Sequence, residues 1–133
     1  MPEAAPARRL LVIDDDVAVR AARRGTLADA GYAVLEAGDG ATALEILSAQ
    51  PIDAVLMDIY MPLQDGFEAI RKLRRVAPAV KIVAISGGSR GDFDPLKAAE
   101  LLGAERTLRK PFGIDELLAA LAEILPAGGA KTP

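Results

Sequence analysis

The sequence contains no cysteine and no histidine. Without cysteine there can be no disulfide and no thiolate-held metal, and without histidine no imidazole can catalyse or ligate, so any metal held here is bound by oxygen. No apolar run approaches the ~18 residues of a membrane span, and no basic-then-apolar leader opens the chain, which predicts a soluble, intracellular protein with no membrane attachment. Positive charge is not in surplus either. With 16 Lys and Arg against 19 Asp and Glu, the net charge is -3 and the isoelectric point lies near 5.0, so the electrostatic footprint of a nucleic-acid binder is missing. Neither Gly-x-Gly-x-x-Gly nor a glycine-rich loop ending in Gly-Lys follows the first apolar run, which argues against nucleotide binding.

What is present is a chain of 133 residues, 51% hydrophobic, the size of one domain and long enough to bury about two thirds of its unfolded surface. Residues 1–8 read as a disordered lead-in, 9–126 as the folded domain and 127–133 as a flexible tail. Short, wholly apolar runs mark strands covered on both faces: Leu10-Leu11-Val12-Ile13, Tyr32-Ala33-Val34-Leu35, Ala54-Val55-Leu56-Met57 and Ile82-Val83-Ala84-Ile85, with a shorter strand at Thr107 to Arg109. Between them the spacing predicts helices. The first runs from Val17 to Ala30, with Val19, Ala22, Leu27 and Ala30 inward and Gly31 as its stop. The second is capped by Asp39 and turns Leu44 and Leu47 inward. The third is opened by a capping box of Asp65 and Glu68 and buries Phe67, Ile70 and Leu73. The fourth starts at Asp94-Pro95 and closes at Gly103. The last carries Ile114, Leu117, Leu118, Leu121 and Leu125 on one side, with Ala119 and Ala120 on an outer face. Arg71, Lys72, Arg74 and Arg75, at the end of the third helix, read as solvated cations complementing its dipole. Strands alternating with helices in this way predict an α/β fold, a five-stranded parallel sheet with helices on both faces and right-handed crossovers.

Four of the five strands end in polar groups at one edge of that sheet: Asp14, Asp15 and Asp16, then Asp58, then Ser86, then Lys110. Taken singly each has a plain explanation, Asp16 as a helix cap, Ser86 as a turn residue, Lys110 as a surface lysine. Their joint recurrence in strand order, at the edge where open α/β sheets bind ligands, carries the functional reading. Carboxylates held within ~4 Å of one another repel by about 4 kcal/mol per pair at an effective dielectric of about 20, which calls for a cation. With oxygen ligands alone, Mg²⁺ fits. An aspartate beside such an ion can attack a phosphoryl group, while an ammonium and a hydroxyl hold the equatorial oxygens.

These motifs, Val12-Ile13-Asp14-Asp15, Leu56-Met57-Asp58 with Met61-Pro62 and Asp65-Gly66, Ile85-Ser86-Gly87, and Lys110-Pro111-Phe112, resemble those of the receiver domains of two-component response regulators. The likeness runs from Leu10 to Leu125. It implies the (βα)5 flavodoxin-like fold, with Asp58 as phosphoacceptor and Mg²⁺ (or Mn²⁺) bound by Asp15, Asp58 and the backbone carbonyl of Tyr60. Asp14 would act on the metal through a water. Ser86 and Lys110 would hold the phosphoryl oxygens, Gly87 would leave room for them, and the Lys110-Pro111 bond would be cis. The resemblance further implies a cytoplasmic, stand-alone switch, no enzyme beyond its own phosphorylation and slow dephosphorylation. Its partners would be a histidine kinase or histidine phosphotransfer protein and a downstream protein, with no direct nucleic acid, as a monomer or weak homodimer.

Two rivals stand beside it. A haloacid-dehalogenase-like phosphatase would use Asp14 as nucleophile, but its Asp-x-Asp-x-Thr/Val pattern breaks at Ala18. A non-phosphorylated pseudo-receiver is opposed by the intact Asp15, Asp58, Ser86 and Lys110. Two departures from the family stand out: Thr107 occupies the place of a usual aromatic, and the glycine-rich loop after Ser86 is long. Together they predict a readout through ordering of a mobile loop over residues 87–94.

Overall fold

The computed structural model describes residues 7–59, 63–87 and 94–125, without side chains for 63–66. The apolar runs form strands β1 (Arg9–Ile13), β2 (Ala33–Ala37), β3 (Ala54–Asp58), β4 (Lys81–Ser86) and β5 (Arg106–Arg109), all parallel, in the order β2-β1-β3-β4-β5. Between them stand α1 (Val17–Asp29), α2 (Gly40–Ala49), α3 (Leu63–Val76) and α4 (Pro95–Leu101), and α5 (Ile114–Ile124) follows β5. Strand alternation sorts the core into two layers. Leu11, Ile13, Val55, Met57, Ile82 and Ala84 pack under α2, α3 and α4 through Leu47, Ile70, Leu73, Leu96 and Ala99. Leu10, Val12, Leu56, Val83, Ile85 and Leu108 pack under α1 and α5 through Leu27, Leu117 and Leu121. Helices therefore cover both faces, as the sequence predicts. Among the described residues no helix is long and apolar enough to cross a membrane.

Local chemistry sets most boundaries where expected. The side chain of Asp16 accepts the backbone N–H groups of Ala18 and Val19, Asp39 accepts that of Thr42, and Asp94 accepts that of Leu96 ahead of Pro95. Gly31 and Gly103, with φ of 103° and 110°, turn the chain out of α1 and α4.

Several expectations are corrected. Strand β2 begins after Tyr32 and extends to Ala37, where it can pair along β1 to Ile13. Helix α3 starts at Leu63, so Asp65 lies inside its first turn rather than capping it. In α1, Ala22 and Ala30 are exposed, while Arg23 lies inward with Val19 and the buried Leu27. Alanine is small enough to be indifferent to exposure, and the helix phase is set by the i, i+4 pair on either side of Arg23. In α5, Ile114 is 43% exposed and Ala120 only 1%, so Ala120 belongs to the inner face beside Leu117 and Leu121 and not to an outer one. Arg74 is no solvated cation either. Its guanidinium donates to the carbonyls of Val80 (2.5 Å) and Gly103 (2.6 Å) and forks onto Glu105 (2.7 and 2.9 Å), tying α3 to the residue before β4 and to the turn between α4 and β5.

Candidate functional site

The strand order reverses direction at β1: the chain leaves it for β2 on one side and returns to β3 on the other, which opens a crevice at the carboxyl ends of β1 and β3. Ile13 pairs with Met57, so the next residues, Asp14 and Asp58, leave adjacent strands side by side. Both are buried, at 3% and 6% exposure, among strands that are otherwise apolar. Ser86, wholly buried, ends β4, and its carbonyl accepts the backbone N–H of Lys110 (2.9 Å), which brings the lysine to the same edge. From there Lys110 reaches back past β4, and its Nζ donates to Asp58 Oδ2 at 2.6 Å. The Lys110-Pro111 peptide is cis. A Cβ built on Gly87 meets no described atom within 4 Å.

Asp15 is exposed at the mouth of the crevice, one step beyond Asp14. The Asp14 carboxylate is held on both oxygens: Oδ1 accepts the backbone N–H of Asp16 (2.9 Å) and Oδ2 accepts Nη1 of Arg23 (2.9 Å). Arg20 Nη1 donates to the Asp14 carbonyl (2.7 Å) while its Nε pairs with Glu36 on β2 (3.0 Å). Burial pushes the Asp14 carboxyl above its ordinary value, and the charge on Asp58 adds to this; the Asp16 N–H, Arg23 and Lys110 act the other way.

Sequence reasoning missed both Arg20 and Arg23. The available signal was the position of Arg23, four residues from Val19 and four from Leu27, on a helix packed over carboxylates.

The carboxylates were expected to form a mutually repelling cluster. Among the described residues no three acidic groups gather as a ready cage for a metal. The two buried carboxylates are each engaged by a cation, Asp14 by Arg23 and Asp58 by Lys110, and the charge on Asp58 still pushes the Asp14 carboxyl up. The donor chemistry still fits a hard divalent ion. Asp14, Asp15 and Asp58 carry three negative charges against two positive ones, so the site remains anionic, and Mg²⁺ uses one or two carboxylates with water filling the rest of its shell. The Tyr60 carbonyl, Met61-Pro62 and the loop over 88–93 lie outside the described residues.

Comparison with known proteins agrees with this geometry. The family model described as the response regulator receiver domain matches residues 10–122. Response regulator MprA of Mycolicibacterium vanbaalenii is 38% identical over 117 residues, 88% of this chain and 50% of that protein, so the chain spans about half the length of such curated relatives. Among solved structures, the chemotaxis protein CheY4 of Vibrio cholerae superposes with a TM-score of 0.80 at 29% identity, covering 90% of this chain and all of that one. A response regulator protein from Burkholderia pseudomallei, solved with a phosphorylated aspartic acid, calcium ion and citrate, gives 0.75 at 27% identity, covering 92% of this chain and 73% of that one. The haloacid-dehalogenase-like phosphatase and the pseudo-receiver find no support in these matches. With its doubly wound sheet, its switch-point aspartates and its lysine brought to the same edge, the chain belongs to the family of response regulator receiver domains, the phosphorylation-dependent switches of two-component signalling.

Proposed function

We propose that Asp58 accepts the phosphoryl group, and the observation that carries this is the Lys110 ammonium held 2.6 Å from the buried Asp58 carboxylate at the switch point. An Asp58 oxygen attacks phosphorus, a P–O bond forms as the bond to the donor nitrogen or oxygen breaks, and an acyl phosphate results. Lys110, freed from the carboxylate oxygen, and the Ser86 hydroxyl then face the phosphoryl oxygens and stabilise charge as it spreads onto them. Gly87 leaves the space in which those oxygens stand. Asp15, Asp58 and the Tyr60 carbonyl would hold Mg²⁺ or Mn²⁺, with Asp14 acting through a water; when bound, the ion neutralises charge between carboxylate and phosphate. Water later cleaves the acyl phosphate and restores the carboxylate. The donor in the cell would be a histidine kinase or histidine phosphotransfer protein in the cytoplasm, and the phosphorylated state would be read by a partner protein contacting α4.

Intact mass after incubation with a small phosphodonor and Mg²⁺ tests the assignment. One phosphoryl group should add to the wild type, stable in acid and labile in base, and none to Asp58→Asn. Labelling that persists in Asp58→Asn, or maps to Asp14, would sink it.

A further inference from the structure

Helix α1 turns a cation, where an apolar residue would complete its stripe, toward the most buried carboxylate of the site. Arg23 sits between Val19 and Leu27 on the covered side of α1, its side chain only 14% exposed. Its guanidinium ends 2.9 Å from Asp14 Oδ2 and lies 5.8 Å from the centroid of the Phe112 ring, two residues beyond Lys110. Its low exposure and the aromatic face therefore oppose its leaving Asp14 for solvent. Asp14 Oδ1 in turn accepts the Asp16 N–H, so each oxygen of Asp14 already has one donor.

We infer that Arg23 is a positioning residue that sets the divalent-cation affinity of the site, acting as a fixed counter-charge on Asp14 that any incoming cation must share or repel. The inference rests on the metal reading above. Two opposing effects follow from one contact. Arg23 fixes the aim of the buried carboxylate, and the same unit of positive charge weakens the pull of Asp14 on a divalent ion. The balance is decided by charge count. With Arg23 in place the three carboxylates and two cations sum to one negative charge; without it they sum to two, and the attraction for a doubly charged ion rises accordingly.

Isothermal titration of MgCl₂ into wild type, Arg23→Met, Arg23→Gln, Arg23→Lys, Asp14→Asn and the Arg23→Met/Asp14→Asn double variant reads this directly. Arg23→Met and Arg23→Gln should bind Mg²⁺ about tenfold more tightly than wild type, the order expected for removing a unit of like charge beside a divalent ion. Arg23→Lys should stay close to wild type. In the Asp14→Asn background the further change Arg23→Met should again raise Mg²⁺ affinity, because the charges of Asp15, Asp58, Arg23 and Lys110 sum to zero there and to one negative charge once Arg23 is gone. A merely structural role would lower the unfolding temperature of Arg23→Met and leave its Mg²⁺ affinity unchanged or weaker, which would overturn the inference, as would the absence of any gain from Arg23→Met in the Asp14→Asn background. If wild type and every variant fail to bind Mg²⁺, the metal reading itself falls, an outcome distinct from wild-type binding that ignores residue 23.

Discussion

Lys110 and Asp58 meet across β4: the ammonium at the end of β5 and the carboxylate at the end of β3 lie 2.6 Å apart although their strands are not neighbours in the sheet. The lysine side chain is 37% exposed and the aspartate 8%, so the pair joins a buried acceptor to a cation that keeps contact with water. Such a cation can follow charge from the carboxylate to a group attached to it. Replacing Lys110 with Met should therefore slow phosphorylation of Asp58 by about 100-fold, as removal of one charge-stabilising donor does elsewhere. Mass spectrometry over a time course checks this; a rate within twofold of wild type would remove Lys110 from the chemistry.

Arg74 is expected to matter for stability and not for phosphorylation. Its guanidinium bridges the backbone carbonyls of Pro78, Val80 and Gly103 and the Glu105 carboxylate, which also accepts the backbone N–H of Ile82 at 2.8 Å. Arg74→Met keeps the stem but strands those acceptors, at a cost of about 2–3 kcal/mol. Arg74→Lys should recover little, because one ammonium cannot reproduce the fork. Urea unfolding, read as a lower midpoint at constant slope, gives the measurement.

Gly25 offers the opposite sign. It lies within α1, and a Cβ added there meets nothing within 4 Å. Gly25→Ala should stabilise the protein by about 1 kcal/mol, through helix propensity and a less entropic unfolded chain. A thermal midpoint equal to or below that of wild type would contradict this.

The cap of α2 titrates. The backbone N–H of Thr42, then its hydroxyl, hold the Asp39 carboxyl below its ordinary value of 3.8. A carboxyl depressed in the folded state lends stability above its unfolded pKa and loses it as pH falls through the folded value. Asp39→Asn keeps a cap acceptor without the charge. It should therefore show a shallower loss of stability than wild type as pH is lowered from about 5 through the carboxylate range. Parallel unfolding curves for the two proteins over that range would refute it.

The sheet was legible because buried parallel strands are continuous apolar runs, and each such run here except that of β2 stops at a polar residue that stays at the edge. Helix starts were legible wherever a cap acts on its own neighbours, as Asp16, Asp39 and Asp94 do. What escaped was of two kinds. Phase within a helix was misjudged where alanine stood in for a core residue, which put Ala22 inward in place of Arg23 and Ala120 outward. Asp65 misled because an acidic residue is equally at home in the first turn of a helix and at its cap. Long cationic side chains were the other kind: the destinations of Arg20, Arg23 and Arg74 lie on other elements, and nothing in their local sequence names the partner. At the site this left the residue types and their sheet edge readable, and their pairing unreadable.

Strand β5 closes one side of the sheet with only four residues, arginines at both ends, and its last arginine turns to Asp94 at 3.2 Å. An edge this short and this charged is a poor template for a neighbouring chain, which would have to desolvate Arg106 and Arg109 to extend the ladder. Self-association by strand addition is thus blocked on that side. A further strand that extends the ladder is left the opposite edge, at β2.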